Sequence, residues 1–355
     1  MLVFDHVSLV PGARVCVAVS GGADSVALLT ALHAANALPR NGLGIGLAAV
    51  HVQHGLRAEA EEDAAFVVEL SGRLGVPVEV HRVDTPGHVA RTGETVEEGA
   101  RTLRYGVFAS YLSEGKADLI CTAHTLDDQA ETVLMKLLRG AWTEGLGGIH
   151  PVVVMGRGKV VRPLLETSRA SVEAWLGEIG QVWREDASNA DPAFTRNRIR
   201  HQVLPLLRAE NPSLDKTLAH LAVLAREEEA KWSVDLGRLL PQVLLPGKPV
   251  RGGGRSVGTM PGEAGVAIEL ERLKAMDGAT RRRVLRAAAR GLRGGAGPRI
   301  SFEETERLLA LCGLRMDVTV PAKAGGVLAL SQGLRAERSV RELRLSVDAG
   351  DGVRK

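Results

Sequence analysis

Short apolar runs alternate with longer amphipathic stretches along the first part of the chain. The apolar runs have the length of strands and several are rich in valine; they are residues 15–19, 45–52, 76–83, 119–123 and 160–164. Between them, apolar side chains recur at helical spacing, in residues 26–35, 59–74, 94–112 and 128–139. Strands that alternate with helices predict an α/β fold with a parallel sheet covered on both faces. Because ligands of such sheets bind at the carboxyl ends of the strands, we expect the chemistry there.

The pattern changes after about residue 207. Residues 214–240 and 269–292 predict charged helices, while residues 240–265, rich in Pro and Gly, predict a long loop or a loose hairpin. One further helix is predicted at residues 302–311, followed by strands at 317–321, 327–330 and 342–347. The sequence therefore predicts three domains: a parallel-sheet α/β domain over residues 1–212, a helical domain over 213–300 and a small α+β domain over 301–355.

Composition narrows the class of protein. The chain has 355 residues, 45% of them hydrophobic, which suffices for at least one sizeable core. Its cysteines, Cys16, Cys121 and Cys312, lie far apart, which argues against a disulfide framework, a zinc ribbon or a cysteine-ligated cluster. The sequence shows no signal-peptide pattern and no apolar run near the roughly 18 residues that span a bilayer. We therefore expect a cytoplasmic protein with no membrane partner.

The sharpest local motif is Ser20-Gly21-Gly22-Ala23-Asp24-Ser25, which lies between the first predicted strand and the first predicted helix. Its two glycines let the backbone approach an anion closely, and a helix N-terminus favours phosphate. Ser20 and Ser25 are candidate donors to phosphate oxygens, and Asp24 is a candidate ligand for Mg²⁺. The motif is neither a Walker A loop nor a dinucleotide fingerprint. By itself it also fits a tight turn in which Asp24 only compensates the helix dipole.

This motif resembles the PP-loop of the ATP pyrophosphatases, which cleave ATP between the α and β phosphates. Further blocks resemble one family among them, the tRNA(Ile)-lysidine synthases. The resemblance implies a Rossmann-like, adenine nucleotide alpha-hydrolase-like domain in which residues 20–25 bind ATP. The second predicted strand ends in the block of residues 51–57, which is similar to the family's HxxHGLR block. The pair His51 and His54 suggests a metal, yet no further ligands follow at zinc spacing. The resemblance implies that His51 lies beside the nucleotide.

The helix predicted at residues 94–112 carries a second block. Residues 97–105 resemble the family's E-x-x-A-R-x-x-R-Y pattern, with arginines at Arg101 and Arg104. These two side chains share one helical face, and such a face is usually just solvated. The resemblance implies that Arg104 is catalytic and contacts the polyanionic substrates.

The fourth predicted strand leads into a block that resembles the family's H-x-L-D-D-Q-x-E-T segment, residues 124–132. Thr125 and Asp128 have the spacing of a capping box, which predicts that a helix begins there. Asp128 and Glu131 are three residues apart and share a helical face, where acids also compensate the helix dipole. The resemblance implies that His124 binds ATP and that Asp128 and Glu131 bind lysine. It also implies that these three residues and Asp24 are catalytic.

Two sets of arginines are candidates for RNA contacts. Residues 145–149 and 162–165, and then 183–189 with 195–200, resemble later blocks of the same family. The last of them holds Arg196, Arg198 and Arg200, a basic cluster suited to a phosphate backbone, although an ordinary surface helix is the default interpretation. Further on, Arg282, Arg286 and Arg290 recur at helical spacing, which fits either a solvated face or an RNA contact.

The resemblance implies a two-step reaction with ATP and Mg²⁺. ATP adenylates the C2 carbonyl oxygen of the wobble cytidine of tRNA(Ile) with a CAU anticodon, and L-lysine then attacks C2 and displaces AMP to form lysidine. This change moves codon recognition from AUG to AUA. A PP-loop tRNA thiolase is the alternative, although the three cysteines lack the spacing for sulfur transfer. The sequence leaves the oligomeric state open, a homodimer included.

Overall fold

The computed structural model describes residues 9–40, 42–56, 60–185, 193–245, 249–250, 254–255, 265–295, 297–315, 320 and 322–347. The chain divides into two compact units, Met1–Glu228 and Glu229–Lys355. The sequence predicts three domains with boundaries at residues 212 and 300, so the structure differs from that prediction at both boundaries. Residues Arg57 and 186–189, which belong to the predicted family blocks, lie outside the described residues.

Strands and helices alternate along the first unit. Its strands are β1 (Arg14–Ala18), β2 (Gly46–Gln53), β3 (Val78–Arg82), β4 (Leu119–Cys121), β5 (Val152–Met155) and β6 (Gly158–Val161). Its helices are α1 (Ala23–Asn36), α2 (Ala60–Leu74), α3 (Thr85–Thr92), α4 (Val96–Ser113), α5 (Leu126–Leu138), α6 (Thr143–Leu146), α7 (Arg169–Glu178), α8 (Thr195–Arg198) and α9 (Leu204–Glu210). A π-helical turn, Ile199–Val203, joins α8 to α9, and α10 (Leu214–Val243) follows.

The first unit is built on a six-stranded sheet with the strand order β3-β2-β1-β4-β6-β5. Strands β1, β2, β3, β4 and β6 are parallel, which confirms the predicted fold class. Strand β5 was not predicted and pairs antiparallel with β6 at the edge. The turn between them includes Gly156 at φ 57°, a conformation that glycine adopts without steric cost.

Helices cover both faces of this sheet, as the apolar pattern predicts. Alternate side chains of β1 point to opposite faces. Val15 and Val17 pack in one core with residues of α1, α2 and α7, whereas Cys16 packs in a second core with Phe108 of α4. Phe108 is completely buried, and burial of a side chain of this size contributes about 1.5–3 kcal/mol.

The chain order of the strands reverses at β1. Strand β2 lies on one side of β1 and β4 on the other, and both are in parallel register with it. The loops that follow these three strands therefore emerge at the same edge of the sheet. A crevice at such a switch point is the usual ligand site of an open α/β sheet.

The second unit consists of a mainly antiparallel sheet and helices. Its strands are β7 (Leu244–Leu245), β8 (Pro249–Val250), β9 (Gly254–Arg255), β10 (Gly265–Glu269), β11 (Val327–Ala329), β12 (Leu334–Arg338) and β13 (Glu342–Val347). Its helices are α11 (Leu270–Ala275), α12 (Gly278–Arg290) and α13 (Phe302–Leu311), with 3₁₀ turns at Leu292–Gly295 and Ser331–Gly333. The main sheet has the order β11-β12-β13-β10-β7, while β8 and β9 form a separate short hairpin.

Packing explains why the second unit differs from the predicted pair of domains. Leu285 of α12, Leu308 of α13 and Leu345 of β13 belong to the same hydrophobic core. The single helix predicted at 269–292 is two helices, because Asp277 caps α12 by accepting hydrogen bonds from the amides of Ala279 and Thr280. The strand predicted at 317–321 lies outside the described residues except for residue 320.

Candidate active site

The loop after β1 is a tight turn at the start of α1. Gly21 has φ 97°, where a side chain would strain the backbone, and Gly22 precedes the helix without a side-chain cap. The Ser20 and Ser25 hydroxyls are 3.1 Å apart, and that of Ser25 donates to the carbonyl of Gly22 at 2.9 Å. The turn therefore brings two hydroxyls and the N-terminus of a 14-residue helix to one place, which suits an anion.

Asp24, in the first turn of α1, has one satisfied and one unsatisfied carboxylate oxygen. Its Oδ2 accepts hydrogen bonds from Arg169 Nε at 3.1 Å and Nη2 at 2.8 Å. Its Oδ1 is buried without a hydrogen-bond partner. Burial raises the pKa of Asp24 to about 6, against the opposing effect of the Arg169 charge. An unsatisfied, partly charged oxygen of this kind is suited to a cation.

The two histidines of β2 and its following loop have different positions. His51 is buried, and its Nδ1 donates to the carbonyl of Val19 at 2.8 Å, so the ring supports the strand before the phosphate loop and is not among the cleft-lining side chains. His54 does line the cleft, with Nδ1 3.1 Å from the hydroxyl of Thr85. Burial and the nearby Arg104 charge lower the pKa of His54 to about 4. The sequence singles out His51, whereas the structure places His54 in the cleft.

The segment between β4 and α5 confirms the predicted capping box. The Thr125 hydroxyl accepts from the Asp128 amide, and Asp128 Oδ2 accepts from the Thr125 amide at 2.9 Å. His124 lines the cleft just before this cap, with Nδ1 3.1 Å from the Thr122 hydroxyl. Burial lowers the pKa of His124 well below its usual range, so the ring is neutral.

Asp128 and Glu131 form a buried acidic pair that is neutralised by arginines. Glu131 is completely buried and Asp128 is 7% exposed. Arg196 bridges them, with Nε 2.7 Å from Glu131 Oε2 and Nη2 2.9 Å from Asp128 Oδ1. Arg200 contacts Glu131 Oε1 at 2.5 Å and Oε2 at 2.9 Å, and Asp128 at 3.3 Å. Burial alone would raise the pKa of Asp128, but Arg196 and its other neighbours hold it below its usual value.

This network corrects the predicted basic cluster. Arg196 and Arg200 are four residues apart, so both side chains point into the cleft. There they form ion pairs with carboxylates of the same unit. Arg198, between them, is exposed and donates to the carbonyl of Ala193 and the hydroxyl of Thr195. The three arginines therefore do not form one phosphate-binding surface.

Arg104 differs from the other cleft arginines in its partners. Unlike Arg169, Arg196 and Arg200, its side chain forms no hydrogen bond or ion pair with any part of the chain that the structure describes. Burial lowers the pKa of its guanidinium, as expected for a desolvated cation. Such a group is ready to receive an anionic ligand.

Several residues of the cleft were missed by the sequence analysis. Arg169 bridges the site, because it bonds Asp24 and also lies 3.7 Å from Asp128 Oδ1. Arg208 pairs with Asp127 at 2.9 Å. No spacing rule connects Arg169 with a loop 145 residues earlier, so its role depends on the fold. The spacing of Arg196 and Arg200, four residues or about one helical turn, was in contrast a usable signal for a shared face.

Together these side chains line one cleft of about 1090 Å³ at the carboxyl ends of the strands. The predicted site residues that line it are Ser20, Gly22, Ala23, Asp24, Ser25, Arg104, His124, Asp128, Glu131, Arg196 and Arg200. The cleft contains both the phosphate loop and the acidic pair, and Arg169 contacts Asp24 at 2.8 Å and lies 3.7 Å from Asp128. Within the described ranges, no three His, Cys, Asp or Glu side chains form a metal cluster.

The remaining predicted arginines belong to the second unit. Arg282 of α12 donates from Nε to Glu306 at 2.6 Å, and Arg286 donates from Nη1 to the carbonyl of Ile300 at 2.8 Å. Arg290, at the end of the helix, is exposed. Two of the three side chains thus stabilise their own unit. In the portion of the chain with described structure, no helix is long and apolar enough to cross a membrane.

The fold and the phosphate loop define a PP-loop domain, and residues 4–207 match the family model of that domain. The chain is similar to the tRNA(Ile)-lysidine synthase of Solibacter usitatus, with 41% identity over 95% of this chain and 68% of the relative. It is similar to that of Geobacillus kaustophilus, with 32% identity over 98% and 69%, respectively. With 47% identity, that of Deinococcus radiodurans matches 67% of this chain and 38% of its own length. The chain belongs to the tRNA(Ile)-lysidine synthase family, which confirms the predicted family.

A solved structure supports the same fold. The U34-tRNA thiolase NcsA from Methanococcus maripaludis, with its 4Fe-4S cluster, has a TM-score of 0.53 at 16% identity. The likeness covers 63% of this chain and 76% of that one. At such identity it shows the PP-loop fold alone.

Proposed function

We propose that the chain catalyses the reaction for which its family is named. It ligates L-lysine to C2 of the wobble cytidine of tRNA(Ile) with a CAU anticodon, consumes ATP, and releases AMP and pyrophosphate. The observation that supports this best is that one cleft holds both an anion-binding turn and a buried pair of carboxylates. A polyphosphate needs the first, and an amino acid with two ammonium groups needs the second.

The first step is adenylation of the cytidine. The C2 carbonyl oxygen attacks the α-phosphorus of ATP, the bond to the β-phosphate oxygen breaks, and pyrophosphate leaves. The turn formed by residues 20–25 holds the phosphates. Arg104, which has no ion pair with a described residue, balances the charge that develops on them. The neutral ring of His124 positions the nucleotide through hydrogen bonds, since it has no charge to contribute.

Mg²⁺ fits one position in this cleft. Asp24 has a buried oxygen with no hydrogen-bond partner, and a carboxylate beside phosphate oxygens is the usual way in which proteins hold this ion. When bound, the ion neutralises charge on the phosphates. Asp24 is therefore its proposed ligand.

The second step joins lysine to the activated base. The lysine ε-amine attacks C2, the bond between C2 and the adenylyl oxygen breaks, and AMP leaves with that oxygen. Asp128 and Glu131 hold the amino acid through its ammonium groups and bring the amine close to the reacting carbon. A hydrogen bond from an ammonium group to a carboxylate is charge-assisted, which favours lysine over a neutral amino acid.

A thiolase is the weaker candidate. Cys16, Cys121 and Cys312 are all buried, and none of them lines the cleft. Sulfur transfer requires a reactive thiol or a cluster at the reacting carbon, so the cleft has no group for it among the residues described.

The test is a product assay with the purified protein, ATP, labelled lysine and a tRNA(Ile) transcript with a CAU anticodon. We expect lysine-dependent labelling of the RNA and one new nucleoside, identified as lysidine by mass spectrometry. A matched transcript with uridine at the wobble position is the control and should stay unlabelled. Modification that requires a sulfur donor and not lysine would overturn the proposal.

A further inference from the structure

The acidic pair that is proposed to hold lysine is already fully engaged by arginines of the same chain. Asp128 Oδ2 accepts from Thr125, and its Oδ1 accepts from Arg196 and Arg200. Glu131 Oε1 accepts from Arg200, and its Oε2 accepts from both arginines. All four carboxylate oxygens are therefore occupied. An incoming ammonium group reaches them only if a guanidinium withdraws.

The balance of charge around Asp128 and Glu131 also disfavours an incoming ammonium group. Two buried carboxylates are balanced by two guanidinium groups, so the pair attracts no further cation while both arginines remain. Arg169, 3.7 Å from Asp128, adds to the positive potential. An ammonium placed there would meet like charges a few ångströms away in a poorly solvated site, which disfavours binding. Lysine and the two arginines are thus competitors for one site.

Arg196 and Arg200 are partly exposed to the cleft, and phosphate groups bound there would attract them. The side chains of Arg196 and Arg200 keep 29% and 18% of their surface exposed, whereas that of Glu131 has none. Both line the cleft that also contains the phosphate loop. They lie on a short helix and a π-helical turn, a local irregularity that often marks functional sites. Phosphate oxygens, like carboxylates, form bidentate hydrogen bonds with guanidinium groups.

We propose that Arg196 and Arg200 occupy the lysine site until a substrate binds. The phosphate groups of that substrate draw the two arginines away from the carboxylates, so that lysine binds last. The inference rests on the proposed function and adds an order of binding to it. The arrangement protects the amine-binding carboxylates from other cations until the RNA or the nucleotide is present. It also keeps lysine out of the cleft until a phosphate-bearing substrate is bound.

The first experiment uses the unmodified protein and measures its affinity for labelled lysine by equilibrium dialysis. One arm contains lysine alone, a second adds an ATP analogue that cannot be cleaved between the α and β phosphates, and a third adds the anticodon stem-loop RNA without nucleotide. We expect one of the phosphate ligands to tighten lysine binding by about tenfold or more, within the range of ordinary coupling between sites. By reciprocity, lysine should tighten that ligand equally. Equal lysine affinity in all arms would overturn the inference.

A pair of variants tests the arginines directly. Arg200→Gln removes one competing charge while Arg196 still neutralises Glu131, so the protein should fold. We expect lysine to bind about tenfold more tightly to it without any phosphate ligand, and the gain from that ligand to shrink. Arg200→Lys keeps the charge and should bind lysine as weakly as the parent. The matched control is Arg82→Gln, which breaks an exposed pair with Glu61. Weaker lysine binding by Arg200→Gln would overturn the proposal, since Arg200 would then help to hold the amino acid.

Lysidine formation by the same preparations separates the two ideas. If the parent forms lysidine but its lysine affinity ignores RNA and nucleotide, the binding order is wrong and the proposed function stands. If no lysidine forms, the proposed function fails, and the inference fails with it.

Discussion

The two units use their arginines differently. In the first unit, Arg196 and Arg200 converge on two buried carboxylates in a cleft. In the second unit, Arg282 pairs with Glu306 and Arg286 bonds a backbone carbonyl, while Arg290 is exposed at the end of its helix. Both sets are basic clusters in the sequence. The charge of a segment therefore predicts neither its partner nor its accessibility, which depend on the carboxylates and carbonyls that the fold brings near.

The largest expected effect is the loss of pyrophosphate release when Asp24 in the cleft of the first unit is replaced. Asp24→Asn keeps the shape of the side chain but removes its charge, so the proposed metal ligand is lost. Pyrophosphate release should fall by roughly 100- to 1000-fold, the usual loss when one electrostatic contact to a reacting group is removed. Thermal unfolding should be nearly unchanged. The matched control is Asp118→Asn, at an exposed pair with Arg14, which should release pyrophosphate at the parental rate. Pyrophosphate release at the parental rate in Asp24→Asn would show that Asp24 is not the metal ligand.

The next effect concerns Glu131 and lysine. Glu131→Gln removes a charge-assisted contact worth about 1.5–3 kcal/mol, so the KM for lysine should rise roughly 10- to 100-fold. Adenylation, measured as RNA-dependent pyrophosphate release without lysine, should change little. Glu337→Gln, at an exposed pair in the second unit, serves as the control. An unaltered lysine dependence would assign Glu131 to a purely structural ion pair.

Burial in the first unit also predicts a pH effect on stability. His54 has its pKa lowered from 6.5 to about 4 in the folded protein. As the pH falls, the unfolded chain binds a proton first, so the free energy of unfolding decreases below the unfolded pKa and the contribution is lost below about 4. Between about pH 7.5 and about pH 5, His54 lowers the free energy of unfolding by about 2 kcal/mol. Denaturant unfolding of the parent and of His54→Gln at both values checks it: the parent should lose more stability. Equal losses would show that His54 is solvated.

The smallest effect is expected in the second unit. Arg290 is the exposed member of its set, so Arg290→Ala should weaken tRNA binding slightly and flatten its log–log salt dependence by at most about 0.7–0.9. Lysine and ATP binding should be unaffected. Arg335→Ala, an exposed arginine paired with Glu337, is the comparison variant. Identical salt slopes in Arg290→Ala and the parent would show that this end of α12 is only a solvated face.

Local pattern determined much of this protein. The alternation of valine-rich runs with helical stretches predicted the parallel sheet, because side-chain periodicity follows from backbone geometry. Thr125 and Asp128 predicted where α5 begins, since a capping box involves residues only three apart. The rule for parallel sheets then placed Asp24, His124 and Asp128 at one edge. The sequence blocks were sufficient to identify the family.

Tertiary structure alone decided how the charges are paired. Arg169 meets a carboxylate 145 residues away, and Arg200 meets one 69 residues away. The tertiary structure also places His54 in the cleft, where the sequence had singled out His51. The last two predicted domains share one hydrophobic core and form one unit. The physical reason is the range of the interactions. Helix periodicity and capping involve neighbours in the chain, whereas ion pairs and core contacts form between whichever residues folding brings within a few ångströms.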